Sequence, residues 1–529
     1  MKQKSLFLSI VAAAGLCGLA VPALVRAQSP LDVVNEYLDL VASGNYESAT
    51  ERWLPACRER SGRFGIEYPG VPIRPDATSP MVLKAEKLSS YTTNPVMNVQ
   101  NMGTDGRFVR MRYTSTSQGD VLQQSYVVVN ERGWYWLCYP QDAFASSWKV
   151  RESKFFRVHI HPDVASLVSE ASFDQIDGFV EAVADTLGLT KADLAELAAK
   201  KIEFFYCDRD STVMEITGQL TKGLLDLASN DIISANFPHH HEVVHLLANI
   251  KMKTVPIYTL PLLREGLAVR FGGRWGKGPA TLMDLGTFLH RDTLVTLDSM
   301  LSQRGFESGS EVDLAYPVAG VVVSFLWDRL GRQKFWTLYQ SFSSRQEVIT
   351  KLRPTDIQAS LVAGAGAKDW AAFRRDFDVY AQNRLAKSAV SVAGAAKAGK
   401  TLYANGLATV ALDGDWISFT VMADSTGAPR ASFLMYKTPK FGTARSLLFD
   451  EQFQGTVPFE GYRLGVRVDQ NEAGVYDYAG NSLVGKFILS INGTEGYFDS
   501  TQNVVTVRFR RSLFGKTTPA SGDITMVPY

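Results

Sequence analysis

Cysteine is scarce, with four in 529 residues. Cys17 lies in the N-terminal segment, which leaves Cys57, Cys138 and Cys207 for the rest of the chain. Three cysteines cannot staple a chain of this length, so hydrophobic cores must hold it and a small disulfide framework is excluded. Excess charge of either sign is also absent. Lys+Arg number 55 and Asp+Glu 54, a balance that gives no electrostatic reason to expect nucleic acid as a partner. Beyond the N-terminus no unbroken apolar run reaches about 18 residues, so no stable membrane span is expected in the mature chain. No internal repeat is visible. Histidine is rare, seven in all, which makes its clustering at 239–245 the most informative local feature.

The N-terminus reads as a signal peptide over residues 1–27. Lys2 and Lys4 precede an apolar run from Leu6 to Leu24, and Val25 and Ala27 occupy the −3 and −1 positions of a cut. Gly15, Gly18 and Pro22 interrupt the run, which favours a cleaved segment over an anchor. Leu16 before Cys17 does not suit a lipoprotein cut. Cleavage removes Lys2, Lys4 and Arg26 and no acid, moving the formal charge from +1 to −2. The expected location is therefore exported, periplasmic or secreted. In such a compartment Cys57 and Cys138, both in the first domain, could form one disulfide; three buried thiols is the other possibility.

The pattern predicts a multidomain α+β chain. Residues 29–150 read as a small α+β domain, with Val34, Leu38 and Val41 on one helical stripe and strands over 108–113, 121–129 and 134–139. Residues 151–390 read as mainly helical with a short sheet. Strands are expected at 201–207 and 232–235, and helices at about 173–187, 239–250, 259–271, 281–290, 316–330, 333–343 and 367–386. Trp370, Phe373, Phe377 and Tyr380 form a core-facing stripe on the last helix. Residues 391–402 are small and flexible in composition and predict a linker. From 403 to 529 the period becomes two, with six or more short strands, an antiparallel β-sandwich pattern.

His239-His240-His241-Glu242-Val243-Val244-His245 contains H-E-x-x-H. On a helix, residues i and i+4 point about 40° apart, one turn along. His241 and His245 can thus hold one zinc ion, and Glu242 beside them is placed as general base. A catalytic zinc needs a third protein ligand. Glu265, in Arg264-Glu265-Gly266-Leu267-Ala268, follows His245 after 19 intervening residues, enough for the chain to turn and bring back a second helix.

H-E-x-x-H, this gap and the R-E-G-L-A segment resemble a gluzincin metallopeptidase of the peptidase MA-like group. Ile202–Tyr206 with Ile216-Thr217-Gly218 upstream, and Tyr316–Gly320 with Phe325-Leu326 and Leu330-Gly331 downstream, extend the likeness to about 200 residues. The resemblance implies one Zn2+ on His241, His245 and Glu265, Glu242 as base, and a peptide or protein substrate. It also implies an edge strand, here expected at Ile232–Asn236, that pairs with an extended peptide. Tyr316 is the candidate oxyanion donor, with His290 as second candidate. Asn249 is a candidate partner behind His245, and His239 and His240 read as first-turn residues. Val269 stands where thermolysin-like enzymes carry an acid, a departure from that branch.

The first domain resembles the cone-shaped nuclear-transport-factor-2-like fold through Gly44-Asn45-Tyr46 and Gly133-Trp134-Tyr135-Trp136. It is expected to act as a spacer or interaction domain. The last resembles DOMON-like modules through Gly461–Leu464, Val475–Gly480 and Val505–Gly515, which leaves a surface or carbohydrate ligand open. Asn492-Gly493-Thr494 reads as a hairpin turn rather than a glycosylation site. Two alternatives stand beside the peptidase reading. One is a non-catalytic binding protein on a degenerate scaffold, against which Glu242 argues. The other is a zinc amidase acting on cell-wall material.

Overall fold

The computed structural model describes residues 29–528 apart from 84–95, 118–119, 256–258, 275–277, 292–294, 302–305, 307–311, 344–352, 395–398, 423–429, 438–461, 470–472, 478–485, 489–493, 500–503 and 512–519. The expected signal peptide, the Asn492-Gly493 turn and parts of the DOMON-like motifs lie outside the described residues. The fold is mixed α+β.

The first region opens with α1 (Pro30–Ala42), capped by the Ser29 side chain and started by a proline whose missing N–H costs the first turn nothing. Then come α2 (Tyr46–Thr50), α3 (Pro55–Gly62), α4 (Pro80–Leu83) and the antiparallel meander β1 (Val96–Asp105), β2 (Phe108–Ser117), β3 (Asp120–Glu131) and β4 (Trp134–Cys138). Arg132 and Gly133, both at positive φ, make the β3–β4 turn. The stripe predicted on α1 packs against this sheet. Cys57, Cys138 and Cys207 are all free and buried, so no disulfide forms. They pack as small apolar side chains, and burial pushes the Cys57 and Cys207 thiols up to about 12.

Helix α5 (Pro140–Phe144) closes the first region, and the second contains β5 (Lys149–Glu152), β6 (Phe156–Ile160), α6 (Glu170–Leu187), α7 (Lys191–Lys200), β7 (Ile202–Tyr206), α8 (Asp210–Thr217), β8 (Gly223–Asp226) and β9 (Asp231–Ser234). Thr190 caps α7 in a reciprocal pair with Asp193. The helices α9 (His240–Met252), α10 (Pro261–Gly272), α11 (Pro279–Arg291), α12 (Val312–Ser343), α13 (Pro354–Ala365) and α14 (Trp370–Gly394) follow. The expected helices at 316–330 and 333–343 are both present, as the two halves of α12 that meet at a non-helical Gly331 with φ 72°.

The sheet order is β5-β6-β7-β9-β8, with β6, β7 and β9 parallel and β8 antiparallel at the edge. This corrects the expectation that Ile232–Asn236 forms the edge. All four residues of β9 are buried, as a strand covered on both sides requires. The chain therefore reaches the edge first, at Gly223–Asp226, and returns inward.

The third region is all β: β10 (Lys400–Ala404), β11 (Ala408–Asp413), β12 (Trp416–Met422), β13 (Arg430–Lys437), β14 (Tyr462–Asp469), β15 (Ala473–Asp477), β16 (Lys486–Ile488), β17 (Thr494–Asp499), β18 (Val504–Arg510) and β19 (Ile524–Pro528). Two five-stranded sheets, ordered β10-β11-β12-β18-β17 and β16-β15-β14-β13-β19, share one buried core that includes Phe419, Phe433, Val466 and Phe509. Helix α14 runs to Gly394 and β10 starts at Lys400, so both enter the expected linker and leave 395–399 between them.

Among the described residues, one large core runs from Val33 to Ala381 across the first two regions, with a smaller cluster around Phe205, Val213 and Ile233 on the other face of the sheet's central strands. Two glycine contacts set the helix positions within the large core. A Cβ on Gly266 of α10 would lie 2.4 Å from the Ala319 carbonyl oxygen of α12, and one on Gly286 of α11 would lie 2.2 Å from that of Pro317.

Two predictions follow from this packing. Gly266→Ala must separate α10 from α12 and shift Glu265 next door; it is expected to cost on the order of 1–3 kcal/mol and weaken metal binding, read from thermal denaturation and zinc titration. The second concerns Asp76, which is buried, accepts from Tyr37 Oη at 2.5 Å and Tyr126 Oη at 3.2 Å, and is pushed up to about 7 by burial. A carboxyl raised in the folded state contributes stability below its unfolded pKa near 3.8 and loses it as pH rises to about 7. Asp76→Asn removes that dependence, so its Tm relative to wild type should rise between pH 4 and pH 8. A constant difference would refute the assignment.

Candidate metal centre

Helix α9 carries His241, Glu242 and His245, and α10 returns Glu265 against them. All of these side chains are buried or nearly so. Glu265 Oε2 lies 3.1 Å from His241 Nε2 and 3.3 Å from His245 Nε2. These three atoms are mutually within 4.8 Å, forming one donor set. An ion held at about 2.0–2.1 Å by each would set them ~3.3 Å apart in tetrahedral coordination.

The hydrogen bonds support the same use. His241 Nδ1 lies 2.8 Å from the Gly273 carbonyl oxygen. A carbonyl only accepts, so Nδ1 carries a proton and the bond fixes the ring with Nε2 facing Glu265 Oε2, where a proton or a metal ion can bridge the two atoms. Arg264 Nε donates to Glu265 Oε1 at 2.8 Å, which leaves Oε2 to the histidines. Burial pushes Glu265 up, but Arg264 and His245 outweigh it and hold the carboxyl well below its usual range. The residues present therefore fit a divalent ion.

Glu242 is also buried. Its Oε2 accepts from the Leu225 N–H of the edge strand at 2.9 Å. Desolvation raises it, while the neighbouring histidines, His245 first, outweigh that and leave the carboxyl below its usual range. One cleft thus holds a three-atom donor set, an ionised carboxylate and an edge strand.

Tyr316, on α12, lines this cleft with its ring 6.1 Å from that of His241. Its hydroxyl is pushed up by burial and then by Glu265, so it stays a protonated donor. The Arg274 guanidinium lies 3.5 Å over its ring. The other candidates do not join the donor set, although Asn249 lines the same cleft. His290 is bonded to Asp378 at 2.7 Å in a separate pocket. Asn249 donates to Tyr68 Oη at 3.2 Å rather than backing His245. His240 packs on Phe179 with ring centroids 4.3 Å apart, and His239 fits where a Cβ on Gly223 would lie 2.5 Å from its Nδ1. Burial lowers these two histidines to about 3 and about 4, so both are neutral. Val269 packs against Gly320.

Several cleft residues were not read from the sequence. Arg274, Tyr339 and the β8 residues Gly223 and Leu225 line it, as do Tyr68 and Thr78 from the first domain. Arg274, close after Glu265, is a cation with no motif of its own. Tyr68 and Thr78 arrive only through docking of one domain on another and leave no local signal.

Searches against protein-family models, curated proteins and solved structures return no match. Functional assignment rests on the geometry of the cleft.

The donor set predicts about one zinc per chain by elemental analysis. Glu265→Ala and His245→Ala should each lose most of it. Zinc content unchanged in both variants would remove the three-ligand assignment.

Proposed function

We propose that this chain is an exported zinc-dependent metallopeptidase, with His241, His245 and Glu265 as ligands and Glu242 as general base. The observation that carries the reading is the meeting of those donor atoms with an ionised Glu242 beneath a strand edge. Zinc, when bound, polarises the scissile carbonyl and makes the attacking water more acidic.

This chain's residues supply the remaining work. Leu225 N–H holds Glu242 Oε2 and so orients the carboxylate against the strand on which an extended substrate would lie. Glu242 takes the proton from the attacking water and delivers it to the leaving amine. Tyr316, protonated and braced by Arg274, is the donor proposed for the developing oxyanion. Burial of the carboxylates in one cleft strengthens these interactions. Among the described residues no helix is long and apolar enough to cross a membrane.

Glu242→Gln should keep its zinc and lose ~10²–10⁴-fold in kcat, as expected for loss of a general base, assayed on peptides and on peptidoglycan fragments. Cleavage confined to peptidoglycan would favour the amidase reading. Activity unchanged by the substitution, or no hydrolysis by the zinc-loaded wild type, would defeat the proposal.

A further inference from the structure

The backbone groups of β8 alternate in direction. Lys222 O accepts from Ala235 N–H, and Asp226 O accepts from Asn230 N–H, both at 2.8 Å, so the even-numbered residues face inward. Leu225 N–H faces the cleft and bonds Glu242. By the two-residue alternation Gly223 shares that outward side, and β8 ends at Asp226, after which Leu227 opens the turn to β9. An added peptide strand would run along this side from Gly223 towards that turn.

At Leu227 the path is already taken. Arg74 Nη1 of the first domain donates to the Leu227 carbonyl and, at 3.1 Å, to that of Ala228. Arg74 Nη2 reaches Asn230 Oδ1 at 3.3 Å. The guanidinium is backed by the Tyr68 ring at 4.4 Å. Its loop is pinned where Glu67 N–H donates to Lys253 O at 2.6 Å and Glu67 O accepts from Val255 N–H at 2.8 Å. The opposite end carries no comparable clamp: the Gly223 carbonyl meets only the Thr221 hydroxyl, at 3.0 Å, a rotor that can swing aside.

We propose that the first domain is an end stop on the cleft, limiting substrates to about two residues on the amino side of the scissile bond at ~3.3 Å per residue. This rests on the peptidase reading. Antiparallel pairing, the more stable mode per residue, directs the amino end of the peptide towards Leu227 and Arg74. The substrates are then short peptides or the amino-terminal ends of longer chains. The stop reads length rather than charge. Among the described residues, the carboxylates lining the cleft are Glu242 and Glu265, both at the metal centre, so none serves an ammonium at the closed end.

The test uses the full mature chain and two peptide ladders built around one cleavable sequence. One ladder grows by up to six residues on the amino side and the other on the carboxyl side, each made free and N-acetylated. Binding to zinc-loaded Glu242→Gln is measured by calorimetry, and kcat/KM on the wild type. The expected result is a loss of roughly tenfold or more beyond the second or third amino-side residue, with little loss on the carboxyl side and little effect of acetylation on the shortest peptides. Arg74→Gln should narrow the gap between long and short peptides, while the wild-type ladders stand without that variant. A flat or rising amino-side series, or a limit on the carboxyl side instead, overturns the end stop and leaves the peptidase reading in place. Absence of both binding and cleavage at every length overturns the peptidase reading and the end stop with it.

Discussion

The cleft depends on how one carboxylate, that of Asp231, is buried. Its side chain is fully enclosed, accepts from Arg63 Nη2 at 2.8 Å and Gln141 Nε2 at 2.8 Å, and faces Arg60 Nε at 3.4 Å. A buried charge is tolerable only when it is paired and hydrogen-bonded, and removing one partner of such a pair is strongly destabilising. Asp231 is the first residue of β9, which leads through a short bend into α9. The turn before it, Leu227–Asn230, is bonded to the first domain at every residue. Arg74 holds the carbonyls of Leu227 and Ala228, Tyr139 that of Ala228 as well, Gln141 the Ser229 hydroxyl, and Arg63 the Asn230 carbonyl. Fixing this turn fixes β8 on one side and α9, which carries His241 and His245, on the other, and these are the two walls of the cleft.

The metal centre is held by a different kind of constraint. Its ligands come from two helices whose approach is set by backbone contact rather than by side-chain interdigitation. Gly266 lets α10 meet the Ala319 carbonyl of α12, and Gly272 lets its far end meet the His240 carbonyl of α9. Glu265 sits between these contacts and is oriented by Arg264 next to it in sequence. Geometry set in this way is stiff, because at these two contacts the helix meets a carbonyl directly, with no side chain of its own between them to absorb a displacement. That stiffness suits a donor set whose chemistry depends on tenths of an ångström.

The candidate donors that the structure brings together were legible because their signal is local. H-E-x-x-H puts two imidazoles on one helix face whatever the tertiary context, and Glu265 needs only a turn and a second helix. The aromatic stripe was legible for the same reason, and its Phe373 and Phe377 are buried against Phe325. The edge strand was not. Ile232 and Ile233 announce a strand, while Gly223-Leu224-Leu225-Asp226 is too short to show a period, so the louder strand was given the outer place. The cysteines offered two readings that spacing cannot separate, and burial as free thiols is the one found.

The same distinction bears on what counts as the catalytic unit. Spacing and composition divide the chain near residue 150, but the buried polar groups do not respect that line. Without the first domain, Asp231 would lose Arg60, Arg63 and Gln141 together, and the carbonyls of the β8–β9 turn would lose Arg74, Arg63 and Tyr139. Each unsatisfied buried group costs roughly 1–3 kcal/mol and a charged one more, against a typical domain stability of about 5–15 kcal/mol. The apolar core gives the same answer, since it passes without interruption from the α1 stripe to α14, whereas the third region keeps a core of its own. The first two regions are therefore one cooperative body by both measures. A domain expected to be a spacer supplies one end of the cleft and the groups that hold its wall.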